Sequence, residues 1–173
     1  QEESLCWSSA LFACLRGDDM YAWHRANRDP MYTDWVITSP HVPVLRDDDG
    51  ALLEAPWHCS FITAAAPMRH SLEEEAPARV AELPMVFERR IRRVLQAAAH
   101  LRADTLVLGA WGCGAFGNDA TMVAEAFRRV LDEPEFAGLL PWVVFAVLDA
   151  WEDRRNIGPF EWAFGWCGLE DES

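Results

Sequence analysis

Two groups of residues in this chain have the types and spacing to do chemistry. One is Gly112-Cys113-Gly114-Ala115-Phe116-Gly117-Asn118, followed by Asp119. Glycines at 112, 114 and 117 let the backbone come close to a bound group, and N–H groups freed in that way suit phosphate oxygens. The segment follows Thr105–Leu108, which reads as a strand, and precedes Ala120–Leu131, which reads as a helix with Asp119 as its N-cap. It therefore satisfies the Gly-x-Gly-x-x-Gly dinucleotide pattern literally. A plain strand-to-helix turn is the competing reading, but four glycines between 109 and 117 exceed what a simple turn requires. The other group is Gln1-Glu2-Glu3, at the head of a helical run. Acidic residues there can stabilise the helix dipole, and a carboxylic acid there can also donate a proton to a leaving group.

Those residues need supporting elements. Apolar residues at helical spacing predict a helix over Ser4–Leu15, ended by Gly17-Asp18-Asp19. Asp34–Thr38, Val42–Leu45 and Cys59–Thr63 read as strands, with a turn at Arg46–Gly50. A long helix is expected over Pro84–Leu101, with Val86, Phe87, Ile91, Val94, Leu95 and Ala98 on one face. The Arg89, Arg90, Arg92 and Arg93 cluster on that helix reads as a solvated surface. Trp142–Leu148 reads as a buried strand. Alternating strands and helices in the second half, after a strand-rich middle, imply an α/β layered fold with mixed strand directions.

Composition narrows the function. The 173 residues, 51% of them hydrophobic, suit one domain with one core. A net charge of −13 argues against a broad nucleic-acid surface. All 15 basic residues are Arg, which removes lysine Schiff-base chemistry and the Walker lysine and leaves Arg forks, backbone N–H groups and helix N-termini to hold phosphate. Cys6, Cys14, Cys59, Cys113 and Cys167 contain no CxxC pair, so they suggest reduced thiols rather than a disulfide framework or zinc knuckle. The five histidines, His24, His41, His58, His70 and His100, lack metal-ligand spacing, and no metal site is expected. No run approaches the ~20 apolar residues of a membrane span, and no basic-then-apolar leader is seen, so a cytoplasmic location is expected. A nicotinamide or flavin oxidoreductase does not fit. The candidate ribose-binding acid, Asp149, stands too far beyond the loop, and too little chain follows it for the remaining βα units.

Taken in order, Gln1-Glu-Glu-Ser-Leu-Cys6, Phe61-Ile-Thr63 with Ala66-Pro67, Leu108-Gly-Ala-Trp-Gly-Cys-Gly-Ala-Phe-Gly-Asn-Asp119, Val143-Val-Phe-Ala-Val-Leu-Asp149 and Asn156 with Phe160 resemble the bacterial-type poly(ADP-ribose) glycohydrolases. The resemblance runs over nearly the whole chain, and the glycine-loop string is its most specific part. It implies a macrodomain-like three-layer α/β/α sandwich with a mixed central sheet, holding ADP-ribose in a crevice above the sheet. By the same resemblance Glu3 is the catalytic acid and Glu2 its neighbour on the ribose. Gln1 and the loop residues Gly112, Cys113, Gly114, Ala115, Phe116, Gly117 and Asn118 bind substrate, with Phe116 against the distal ribose. Asn156 and Phe160 fall at the nucleotide end.

The implied reaction is hydrolysis of the bond joining a terminal ADP-ribose to poly(ADP-ribose) or to an ADP-ribosylated protein, by a monomer with no cofactor. The family also carries a strand and a Gly-Gly-Gly loop just before Gln-Glu-Glu, and these are expected upstream of Gln1. Hydrolysis of mono-ADP-ribose from a protein side chain or nucleic acid would use the same residues, so the acceptor stays open. A non-catalytic ADP-ribose reader would need the loop but not Glu3.

Overall fold

A computed structural model describes residues 2–165. Its helices are α1 (Glu2–Ser8), α2 (Leu11–Leu15), α3 (Asp19–Asn27), α4 (Arg69–Glu75), α5 (Leu83–His100), α6 (Ala120–Leu131) and α7 (Ile157–Phe164). Its strands are β1 (Val36–Arg46), β2 (Leu52–Ala64), β3 (Thr105–Leu108) and β4 (Trp142–Phe145), and a 3₁₀ turn at Pro77–Glu82 leads into α5. The α/β class is as expected. The strands form two pairs, β1–β2 antiparallel and β3–β4 parallel, with no hydrogen-bonded ladder joining the pairs among the described residues.

The core grows from two amphipathic helices packed together. Phe87, Ile91, Leu95 and Ala98 of α5 meet Val123, Phe127 and Val130 of α6, all essentially without exposed surface. Proline sits at the start of α5, where its missing N–H costs nothing. The Asp119 carboxylate accepts from Met122 N–H at 2.8 Å and starts α6 beside the glycine loop. Leu106 of β3 faces this core, as do Phe145 of β4 and Phe160 of α7.

Three expectations change. The helix expected over Ser4–Leu15 is two helices, because Ser9 pairs with Val44 of β1 and Ala10 N–H donates to Pro43 O at 3.0 Å. Pairing with the sheet edge satisfies backbone groups that a continuous helix would have used internally. Likewise, the three short strands of the middle region are one long hairpin. A bulge between Ser39 and Val42, where His41 takes φ 50°, breaks its apolar alternation and so disguised its length. The segment read as a buried strand to Leu148 ends as strand at Phe145, and only one of its faces is inward, with Trp142 and Val144 exposed. No helix of the described residues is long and apolar enough to cross a membrane.

Candidate active site

Between β3 and α6 the chain folds into a compact loop by bonding to itself. Cys113 N–H donates to Ala110 O at 3.0 Å, Gly117 N–H to Gly114 O at 2.9 Å, and Asn118 N–H to Gly112 O at 3.1 Å. The N–H groups of the three residues enclosed by this pattern, Gly114, Ala115 and Phe116, donate to no protein acceptor among the described residues. Three consecutive donors left unpaired in a glycine-rich turn are available to an anion. The side chain of Asn118 fixes the loop from below. It is 4% exposed, and its Nδ2 donates to Pro67 O at 2.8 Å and to Gly112 O at 2.9 Å. Its Oδ1 is buried without a partner among the described residues.

The glycines are required for different reasons. Gly112 has φ +73°, and a Cβ there would come within 2.6 Å of the Ala66 Cβ. Gly117 has φ +71°, and a Cβ would enter the His70 ring. Both are demanded by the fold. Gly114 is not, since its φ lies outside the left-handed region and the space where its Cβ would project holds no protein atom within 4 Å. Its lack of a side chain therefore leaves open space beside the unpaired N–H groups. Cys113 has no nucleophilic role here: burial, and then the charge of Asp119, push its thiol up to about 12, so the thiolate is absent at neutral pH.

Phe116 lies at the rim. Its carbonyl accepts from His70 N–H at 3.3 Å, and its ring stacks on Tyr32 with centroids 6.2 Å apart and planes 25° apart. Tyr32 is held in turn by Arg90, which the sequence reading assigned to a solvated helix face. Arg90 is 2% exposed. It donates to Asp34 Oδ1 at 2.8 Å, Ala65 O at 3.0 Å, Met31 O at 2.6 Å and Tyr32 O at 3.1 Å. Helical phase explains this placement: position 90 falls on the inward stripe between Val86 and Val94. Burial works to raise the Asp34 carboxyl, but the hydrogen bonds from Arg89 and Arg90 outweigh it and hold Asp34 below the ordinary carboxylate range.

The paired glutamates occupy the first turn of α1, exposed to solvent. The Tyr21 hydroxyl, on α3, donates to Glu2 Oε2 at 2.9 Å. Burial and then this bond to Glu2 raise the Tyr21 hydroxyl well above the usual phenol range, so it remains a donor. Glu3 has no side-chain hydrogen bond or ion pair among the described residues. Tyr21, Tyr32, His70 and Arg90 were all missed by sequence reasoning. Only Arg90 had left a signal, in its phase with the apolar stripe.

Toward the other end, Asp149 Oδ2 accepts from Asn156 N–H at 2.7 Å and Ile157 N–H at 2.9 Å. The bond from Ile157 N–H does most to hold its carboxyl below the usual range; burial opposes it, and the bonds from Asn156 and Trp151 N–H add to the lowering. Asn156 thus stands at the head of α7, and its side chain makes no hydrogen bond among the described residues. Phe160 differs from expectation. At 3% exposed, with Phe145 5.1 Å and Phe127 6.5 Å away by ring centroids, it has no free ring face and serves the core. Gln1 lies outside the described residues. No cluster of three or more His, Cys, Asp or Glu able to hold a metal ion occurs among the described residues.

Comparison with known proteins finds relatives of this chain. The model for the catalytic domain of microbial-type PARG, poly(ADP-ribose) glycohydrolase, matches residues 1–47. The poly(ADP-ribose) glycohydrolase of Deinococcus radiodurans, solved in complex with ADP-ribose, is 40% identical with a TM-score of 0.87, over 94% of this chain and 66% of that one. Its apo form gives a TM-score of 0.85 at the same identity, over 92% of this chain and 66% of that one. The enzyme of Thermomonospora curvata is 45% identical with a TM-score of 0.87, over 95% of this chain and 60% of that one. The chain therefore spans just under two thirds of the length of the Deinococcus relative. No curated protein sequence matches it.

Proposed function

We propose, for a chain that belongs to the bacterial-type poly(ADP-ribose) glycohydrolase family and shares its macrodomain-like fold, that it binds ADP-ribose at Gly112–Asn118 and hydrolyses the glycosidic bond at the distal ribose of poly(ADP-ribose) or an ADP-ribosylated protein. The observation that carries this reading is the run of N–H groups left unpaired among the described residues at Gly114, Ala115 and Phe116, in a chain similar to an enzyme solved with ADP-ribose. The pyrophosphate lies against those N–H groups, with Cys113, Gly117 and Asn118 shaping the floor beneath it and Phe116 covering the ribose.

Cleavage needs a proton on the departing oxygen and support for positive charge developing at the ribose C1″. Glu3, without a side-chain partner among the described residues, donates the proton. Glu2, fixed by Tyr21, holds the ribose through the oxygen that Tyr21 leaves open. Because adjacent helical residues point apart, the two carboxylates do not flank the bond as in an ordinary glycosidase, and water completes the reaction at C1″. Asn156 is assigned to the nucleotide end, with Gln1 beside the glutamates. The protein acts as a cytoplasmic monomer.

The test is release of ADP-ribose from automodified poly(ADP-ribosyl)ated protein, followed by chromatography, with binding of free ADP-ribose measured by calorimetry. Release supports the reading. Binding without release assigns an ADP-ribose reader, and absence of both removes the site.

A further inference from the structure

The ring on which Phe116 stacks comes from a turn whose backbone is bonded throughout. Between α3 and β1, five consecutive backbone groups, from Met31 N–H to Thr33 N–H, have protein partners. Met31 N–H donates to Asp29 Oδ1 at 2.9 Å, and Met31 O accepts from Arg90 Nη2 at 2.6 Å. Tyr32 N–H donates to Asp29 O at 2.9 Å, and Tyr32 O accepts from the same Nη2 at 3.1 Å. Thr33 N–H donates to His24 Nε2 at 3.3 Å, and the Thr33 hydroxyl bonds that nitrogen at 2.8 Å. Asp29 is itself held by Arg79 at 2.9 Å.

Tyrosine is a costly residue for that turn. Position 32 has φ 55°, in the left-handed region that glycine or asparagine enters with less strain. Either would keep the bonds just described, since they use only N–H and C=O at this position. The reason for a tyrosine therefore lies in its side chain. The half-buried ring is flanked by His24, with centroids 5.0 Å apart and planes tilted by 59°, and by Phe116 at 6.2 Å and 25°. Phe116 is tethered far less. Its N–H has no protein acceptor among the described residues, and its carbonyl accepts the 3.3 Å bond from His70 N–H. Its ring packs partly on the main core, and Tyr32 is its one aromatic neighbour among the described residues. A ring on a fixed turn thus meets a ring on a loop, and the first can orient the second.

We infer that Tyr32 is a positioning residue: its ring sets the plane of Phe116 and, through Phe116, the seat of the distal ribose. This rests on the glycohydrolase reading above, in which Phe116 covers that ribose, and it names the residue that keeps the cover in place. Contact between an aromatic ring and a sugar is sensitive to separation, and a gap of roughly 0.5–1 Å forfeits a quarter to a half of the attraction. A Phe116 free to tilt therefore loses the ribose, whereas a diphosphate held by backbone N–H groups stays bound.

The experiment measures two ligands on the whole chain by calorimetry: ADP-ribose, and ADP, which has the diphosphate but lacks the distal ribose. The main variant is Tyr32→Asn, which suits the left-handed position, keeps the backbone bonds and removes the ring. Tyr32→Gly removes the ring in a second way, should the first variant fail to fold. The preference for ADP-ribose over ADP falls by roughly threefold to tenfold, the worth of one aromatic contact, while ADP affinity is retained. Tyr32→Phe keeps the ring and restores the preference. In a Phe116→Leu background Tyr32→Asn changes the preference no further, because the two residues act through one contact. A purely structural role would weaken both ligands together, and that result overturns the inference. An unchanged preference, a Tyr32→Phe protein as weak as Tyr32→Asn, or full additivity of the two substitutions overturns it as well. If the unaltered protein binds neither ligand, or binds both alike, the parent assignment of Phe116 fails and the inference falls with it. If the unaltered protein prefers ADP-ribose and the variants depart from these expectations, the inference alone fails.

Discussion

The glycine loop and the paired glutamates are held in opposite ways. The loop is fixed by its own backbone bonds, by the buried amide of Asn118, and through Phe116 and Tyr32 by the buried guanidinium of Arg90. The glutamates stand in the exposed first turn of a short helix with one side-chain restraint among the described residues, the Tyr21 hydroxyl on Glu2. A diphosphate needs several donors aimed in advance, because their fixed geometry is what replaces its water. A proton donor needs contact with solvent to recover its proton after each turnover. On the proposed function, rigidity belongs to binding and accessibility to proton transfer, which makes the two roles separable by substitution.

The sharpest separation is at Glu3. Glu3→Gln keeps the shape but cannot deliver a proton, so turnover falls by roughly 10²–10⁴ while ADP-ribose affinity measured by calorimetry is retained. Full activity in this variant would remove Glu3 from the mechanism.

On the rigid side, Arg90→Met removes a guanidinium that four acceptors depend on. A loss of at least about 1–3 kcal/mol in denaturant unfolding is expected, because three carbonyls lose their donor while Asp34 keeps only Arg89. The same pair gives a pH signature. The carboxyl of Asp34 is held below its unfolded value, so its contribution is complete above the ordinary Asp range, about 3.9, and fades as pH falls through the lower folded value. A stability difference between the unaltered protein and Asp34→Asn that persists unchanged at the lowest pH would contradict this account.

A smaller effect on folding, with a large one on affinity, is expected at Gly114. With no protein atom near its Cβ direction, Gly114→Val leaves the circular dichroism spectrum and melting temperature nearly unchanged. The added methyl groups occupy the space in front of the unpaired N–H groups, and ADP-ribose affinity drops at least about tenfold, the equivalent of one lost hydrogen-bonded contact. Unchanged affinity would move the pyrophosphate elsewhere. The smallest change is expected for Tyr21→Phe. Losing one exposed hydrogen bond to a carboxylate is worth about 1 kcal/mol, a several-fold rise in KM with kcat little altered if Glu2 only holds the ribose. A fall in kcat alone would instead give Glu2 a part in the chemical step.

Sequence reasoning was reliable where a local rule determines the outcome. The α6 cap at Asp119, the apolar face of α5 and the strand before the loop follow from residue spacing and appear as expected. The bent loop was legible because glycine at 112 and 117 has a backbone reason. It failed where distant segments compete. The break at Ser9 depends on Val44, and the burial of Arg90 depends on carbonyls at 31, 32 and 65 that no window around position 90 contains. Phe160 was misread for a related reason. An aromatic residue near a nucleotide site and one in the core look alike in sequence, and only the rings of Phe127 and Phe145 decide between them.

The Arg90 arrangement also constrains the order in which the molecule assembles. A guanidinium is expensive to remove from water unless its acceptors arrive together, so α5 cannot dock with only one of them in place. Those acceptors lie 25 to 59 residues earlier in the chain, on the turn after α3 and on the exit of β2. During synthesis they emerge from the ribosome well before the arginine does. The hairpin and its neighbouring turn gain these bonds only when α5 reaches them, and with them the position of Tyr32 on which Phe116 stacks.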